Sequence, residues 1–219
     1  MFKIKARGEK MIKVYPMVLG PVQTMCYVVS EGELAVVVDP ADQGRKIYDY
    51  LRSKKLKLQA ILLTHGHFDH IGGVNELTSL IDVPVYAHQA EQEYFDKPEV
   101  NLSTMMHQRL TLIDSVNVTY LGDKQEVTLL DQVVCALHVP GHTSGSLCYY
   151  FTVDDVVFTG DTLFAGAVGR SDFIHGNHEQ LVRGIKGKLL TLPSNTLVYP
   201  GHENCTTIEI EAKTNPFLK

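Results

Sequence analysis

The stretch Thr64-His65-Gly66-His67-Phe68-Asp69-His70-Ile71-Gly72-Gly73 sets three histidines and an aspartate within a few positions of one another, directly after the apolar run Ala60–Leu63. Imidazole nitrogens and carboxylate oxygens are the ligands of zinc and of the other first-row divalent cations. Along an extended segment His65 and His67 point to the same side. A helix beginning near Phe68 would put Asp69 and His70 in its first turn, able to turn toward the same point. A strand-to-helix loop can thus gather four donors without a long-range search.

Three further residues sit in the same kind of place. His142 follows Val139-Pro140-Gly141, Asp161 follows Val156–Gly160, and His202 follows Leu197–Gly201. Each is thrown out where a strand ends, the usual location of a site. Alone, His142 or His202 would more often be a turn residue and Asp161 more often a cap. The HxHxDH cluster reverses this, because a metal held there needs further ligands. Seven donors are three more than one zinc ion takes. They suit two ions bridged by a carboxylate, roughly 3.5–4 Å apart.

The remaining histidines are read otherwise. His88 follows a strand at the start of a short helix, His107 lies in an irregular segment, and His138 belongs to a strand. His175 and His178 flank Asn177 at a helix N-terminus and are placed near the pocket, not on a metal.

The elements that must position these donors follow from periodicity. Ile12–Leu19, Met25–Ser30, Leu34–Val38, Leu58–Leu63 and Val83–Ala87 read as strands, with Glu31-Gly32-Glu33 a hairpin signal. Gly44–Lys54 and the face Val74, Leu77, Leu80, Ile81 have helical spacing. Val116–Leu121, Glu126–Leu129, Val133–Val139, Ser146–Thr152, Asp155–Thr159 and Thr196–Tyr199 read as further strands. Asn177 caps a helix with Gln180 as its partner and Leu181, Ile185 and Leu189 as its buried face. Thr206–Lys213 reads as a final helix. The segment His88–Arg109 has no sustained period. This order predicts an α+β fold over residues 1–219 as one domain: an αββα sandwich, two mixed sheets face to face with helices outside.

Composition excludes other classes. The net charge of -5, with 44% apolar and 21% charged residues, is that of a globular protein with no nucleic-acid partner. No apolar run approaches the ~20 residues needed to span a bilayer, so no membrane partner is expected. Met1–Lys13 is basic, but the apolar patch after it is cut by Pro16 and Gln23-Thr24, so no signal peptide is read. Cys26, Cys135, Cys148 and Cys205 form no CxxC pair; they read as reduced thiols in a cytoplasmic protein.

THGHFDHIGG, PGHTSGS, TGDTLF and YPGH, in this order, resemble the metallo-β-lactamase superfamily, over nearly the whole chain from about Tyr15. Gly160–Phe164 followed by Gly169–Phe173 looks like its glyoxalase II branch, the hydroxyacylglutathione hydrolases, and Thr214–Leu218 is similar to the ending of the short forms. The resemblance implies that His65, His67 and His142 hold one metal and Asp69, His70 and His202 a second. Asp161 and a metal-bridging hydroxide would lie between them. Asp69 would also orient that nucleophile. The implied cofactors are two divalent ions, zinc first, with iron or manganese as alternatives. The implied partner is a small-molecule thioester, glutathione-derived, such as S-lactoylglutathione.

Several positions depart from that branch. The extra C-terminal helical region of the long forms is missing. Arg170 stands where they place lysine, Glu203 where glycine is frequent after the last ligand, and Met25 where asparagine precedes the cysteine. These bear on how glutathione would be held, not on the metal site. Arg170 could grip a substrate carboxylate or pair with Asp172 to fix its loop. Tyr94, Phe95 and Phe173 are candidate wall residues or ordinary packing. The competing reading is a persulfide dioxygenase with one non-haem iron on His65, His142 and Asp161. Another hydrolase of the superfamily, or a metal-binding protein without activity, completes the alternatives.

Overall fold

The computed structural model describes residues 11–219. The reading of Met1–Lys10 therefore lies outside the described residues. Among the described residues, fourteen strands and six α-helices follow in chain order. The first sheet runs β1 (Lys13–Leu19), β2 (Thr24–Glu31), β3 (Leu34–Val38), β4 (Lys57–Leu62), β5 (Val85–Ala87), β6 (Val118–Tyr120) in that spatial order. Its first three strands are antiparallel neighbours. Helix α1 (Gly44–Ser53) then makes the crossover that lets β4 lie parallel to β3. Helices α2 (Phe68–Ile71) and α3 (Val74–Leu80) do the same between β4 and β5.

The second sheet has the order β14 (Thr206–Thr207), β13 (Leu197–Pro200), β10 (Val156–Gly160), β9 (Leu147–Phe151), β8 (Gln132–His138), β7 (Gln125–Leu129). Strands β7 to β10 are an antiparallel meander. Strand β13 joins β10 in parallel after the crossover helix α5 (His178–Gly184).

Alternation along the strands explains the layering. In β2, Tyr27 and Val29 face the second sheet and meet Tyr149, Phe151 and Phe158. Cys26 and Val28 face the other way, onto Ile47 and Leu51 of α1 and Val74 and Leu77 of α3. The outer face of the second sheet, with Leu137, Cys148, Val157 and Val198, is covered by Leu181, Ile185 and Leu189 and by Ile208 of α6 (Ile208–Thr214). Both sheets are therefore buried on both faces. This is why strands such as Leu34–Val38 read as unbroken apolar runs. The αββα sandwich expected from element order is the observed architecture.

Some local details differ from expectation. The segment at Thr206 opens as the two-residue strand β14 before α6 begins, because Thr207 is the N-cap and its hydroxyl accepts from Ile210 N at 3.2 Å. Between Asp161 and Asn177 a small hairpin forms from β11 (Leu163–Phe164) and β12 (Ala167–Val168). It is too short to show periodicity. The segment after His88 holds a 3₁₀ turn (Gln89–Glu91), α4 (Gln92–Asp96) and a second 3₁₀ turn (Ser103–Met106). Among the described residues no helix is long and apolar enough to cross a membrane, and all four cysteines are unpaired.

Candidate metal centre

Four loops at strand ends converge. They are the loop from β4 to α2, the loop from β8 to β9, the turn after β10, and the turn after β13. The first carries His65, His67, Asp69 and His70; the others carry His142, Asp161 and His202 respectively. Gly201 is required by this convergence, since a Cβ there would strike the Asp161 carboxylate and the His70 ring.

The seven donors fall into two groups. His142 Nε2 lies 3.2 Å from His65 Nε2 and 3.0 Å from His67 Nδ1. His202 Nε2 and His70 Nε2 lie 3.3 and 3.5 Å from Asp69 Oδ2. Asp161 stands between the groups: its Oδ2 is 3.7 Å from His142 Nε2 and 3.6 Å from His202 Nε2, and its Oδ1 is 3.3 Å from His70 Nε2. His65, His67, His142 and His70 are buried, while Asp161 and His202 are reached by solvent. The cluster thus has one accessible side.

Hydrogen bonds behind the donors fix the ring tautomers. His142 Nδ1 donates to the carbonyl of Arg170 at 2.7 Å. His70 Nδ1 donates to Asp39 Oδ2 at 2.9 Å. His65 Nδ1 faces the Thr64 hydroxyl at 3.2 Å, and that hydroxyl itself donates to Asp39 at 2.6 Å. His142 and His65 therefore present an unprotonated Nε2 to the centre. Thr24 donates to Asp69 Oδ2 at 2.7 Å.

The charge states follow from burial and proximity. Burial, and then the neighbouring histidines, holds His65 well below the usual histidine range. Burial and His142 hold His67 down to about 3, and burial also lowers His142. These three are neutral near neutral pH. Burial opposes ionisation of Asp69 and Asp161, but His70 and hydrogen bonds overcome it and hold both below the carboxylate range. Burial likewise opposes charge on His70, yet Asp69, Asp161 and Asp39 raise it well above its ordinary value.

His65 and His142, each with its Nδ1 engaged behind the ring, aim Nε2 lone pairs at one another across 3.2 Å and repel unless a cation lies between them. His70 Nε2 and Asp161 Oδ1 are buried without a hydrogen-bond partner. Orphaned buried donors of this kind need a ligand to satisfy them. The donor set, imidazole and carboxylate only, fits divalent metal ions.

A family model described as the metallo-beta-lactamase superfamily matches residues 19–202. The chain belongs to that superfamily. It is 40% identical over 202 residues to the probable metallo-hydrolase YqgX of Bacillus subtilis, covering 92% of this chain and 95% of that one. It is 33% identical over 190 residues to the hydroxyacylglutathione hydrolase GloC of Haemophilus influenzae, covering 84% and 87%. Among solved structures it is similar to the BLEG-1 B3 metallo-beta-lactamase, with a TM-score of 0.89 and 36% identity over 95% of this chain and 100% of that one. It is also similar to TTHA1623 in a di-iron-bound form, with a TM-score of 0.84 and 36% identity over 94% and 100%.

Around this superfamily centre, Tyr94 and Phe173 bring their rings to 5.6 Å from the His67 ring. Tyr94 is held there by its hydroxyl, which donates to the carbonyl of Ile174 at 3.2 Å. Phe95 instead packs in the layer between the first sheet and its helices. Arg170 lies bidentate on Asp172 at 3.0 and 2.9 Å, with its guanidinium 4.3 Å above the Phe173 ring. A cavity of about 90 Å³ beside Asp69 is bounded by Pro21, Phe68, Gln108 and Leu110. The irregular segment after His88 thus reaches the site.

Sequence reasoning did not find Thr24, Asp39, Thr64 or Glu91. Glu91 is fully buried, and burial pushes it up to about 7 against the pull of its hydrogen-bond donors. Only its place inside an otherwise polar 3₁₀ turn could have hinted at this.

Proposed function

We propose that the protein is a two-metal hydrolase whose substrate is a small thioester, of the type exemplified by S-lactoylglutathione. His65, His67 and His142 would hold one divalent ion and Asp69, His70 and His202 the other, with Asp161 between them. The observation that carries this reading is the position of Asp161, whose carboxylate lies within 3.7 Å of nitrogens from both groups. The 33% identity to a hydroxyacylglutathione hydrolase supports the thioester.

A bound pair of divalent ions supplies hydroxide from water near neutral pH and a counter-charge for a developing oxyanion. The chain's own residues do the rest. Asp69, fixed by Thr24, orients the attacking water. A thiolate leaves without a strong general acid, and none of the seven donors is needed as one. Tyr94 and Phe173 form an apolar wall beside His67 that narrows access for bulk water. Arg170 stands at the rim, where a substrate carboxylate could take the place of Asp172. The four unpaired thiols suit a reducing, cytoplasmic setting.

Zinc-loaded protein is expected to release thiol from S-lactoylglutathione, and the His67→Ala variant is not. Absence of release with metal bound would sink the thioester reading. Parallel assays of β-lactam opening, and of oxygen uptake with a glutathione persulfide in iron-loaded protein, would then show which other chemistry the site performs.

A further inference from the structure

Glu91 is a buried carboxylate that none of the steps above uses. Its Oε2 accepts from Gly66 N at 2.6 Å, in the peptide between His65 and His67. Its Oε1 accepts from Thr143 Oγ1 and from Gly145 N, both at 2.7 Å, directly after His142. One side chain therefore joins the two loops that carry the three-histidine group. It is the shared acceptor of three donors drawn from segments far apart in the chain.

The packing around it leaves room for nothing else. A Cβ at Gly66 would come within 2.5 Å of Tyr94 Cβ and 3.0 Å of Glu91 Oε2. A Cβ at Gly145 would come within 2.6 Å of Glu91 Oε1. The glycines of the HGH and TSGS stretches thus admit this carboxylate between the loops. Glu91 is itself held from behind. Its 3₁₀ turn is closed by Glu91 N donating to the carbonyl of His88 at 2.9 Å. The Ser144 hydroxyl donates to the carbonyl of Ala90 at 3.2 Å.

We propose that Glu91 is a positioning residue that sets the spacing between the His65–His67 loop and the His142 loop for binding one divalent ion. The proposal rests on the two-metal reading of the site. It assigns Glu91 to the three-histidine group alone, because none of its hydrogen bonds reaches Asp69, His70 or His202.

In Glu91→Gln the shape is kept, but an amide N–H₂ faces a backbone or hydroxyl donor that the carboxylate had accepted. Thr143→Val removes one of the three donors and is a milder second variant, should the first fail to fold. Each is combined with His202→Ala, which leaves the three-histidine group, and separately with His67→Ala, which leaves the Asp69, His70, His202 group. Zinc affinity is read by competition with a chromophoric chelator, and thermal unfolding of the metal-free proteins is read alongside. Glu91→Gln is expected to weaken zinc about 10–100-fold in the His202→Ala background. It should leave the affinity in the His67→Ala background unchanged, and Thr143→Val should follow the same pattern more weakly. Equal losses in both backgrounds would make Glu91 a general scaffold residue and overturn the proposal, as would unchanged affinity in both. If the parent protein itself takes up no zinc, the two-metal reading fails, and the role of Glu91 with it.

Discussion

Asp39 and His70 are joined by a hydrogen bond of 2.9 Å from the ring Nδ1 to the carboxylate, both groups being buried. The same carboxylate accepts from Thr64 N at 2.8 Å and from the Thr64 hydroxyl at 2.6 Å, and that hydroxyl faces His65 Nδ1. One aspartate at the end of β3 thereby fixes a donor in each group.

Asp39→Asn tests this relationship. Asp39 has a left-handed backbone, φ 47°, which asparagine tolerates, so the effect of the change is confined to the side chain. The amide can no longer accept at every position the carboxylate does. Zinc affinity is expected to fall about 10–100-fold. Chelator competition checks it, and an unchanged affinity would show that His65 and His70 orient themselves without Asp39.

Thr24→Val removes the 2.7 Å hydrogen bond that the fully buried Thr24 donates to Asp69 Oδ2. Asp69 keeps His70 and His202 beside it, so zinc content is expected to stay at the parental level. Under the proposed role of Asp69, the orientation of the attacking water would suffer instead. The expected result is about a tenfold loss in kcat with KM little changed, the signature of an interaction made chiefly in the transition state. A rise in KM alone would place Thr24 in substrate binding.

Much of this arrangement was legible in the sequence, and the reason is local. His142, Asp161 and His202 follow strand-then-glycine signals, and the other four donors lie in one cluster directly after an apolar run, so type and place were readable together. The sandwich was legible in the order of the elements, and Leu34–Val38 and Ala60–Leu63, apolar without alternation, fit burial on both faces. The residues behind the donors were not legible. Asp39 reads as the polar end of a strand, Glu91 as one more acidic residue among Gln89, Gln92 and Glu93, and Thr24 as a turn residue. Their roles depend on contacts across 25 to 54 residues of chain. No periodicity records such contacts. The β11–β12 hairpin was hidden for a different reason: its two-residue strands are held by Glu211, which accepts from Gly166 N at 2.9 Å, and by Asn215, which donates to the carbonyl of Ala167 at 3.0 Å.

Arg170 gives a prediction about substrate charge. Its guanidinium is exposed and engaged with Asp172 and the Phe173 face. Arg170→Ala is expected to raise KM for a thioester bearing a carboxylate while leaving kcat and thermal stability near parental values. Asp172→Ala, which frees the guanidinium, is expected not to raise it. Equal effects of the two variants would mean that the pair matters only for fixing the loop.

Acid sensitivity at a second histidine pair can be worked out with its sign. His88 stacks face to face on His138, with centroids 3.9 Å apart and planes 10° apart. Burial, and then His138, holds His88 down to about 4, with Lys188 acting the same way and Asp123 opposing. Its Nδ1 accepts from Ala90 N at 3.2 Å, a bond that requires that nitrogen to be unprotonated. An unfolded chain binds a proton at His88 near pH 6.5, and the folded chain only near pH 4. Between those values the unfolded state carries more protons, so this group's contribution is complete above the upper value and is lost as pH falls toward the lower one. Partial exposure of the ring reduces its size. His88→Asn keeps an acceptor for Ala90 N and does not titrate. Urea unfolding of metal-free parent and variant, at about pH 7.5 and about pH 5, isolates the difference because the ligand histidines titrate alike in both. The parent is expected to lose more stability on acidification than the variant. Parallel losses would show that His88 is not held neutral by the stack.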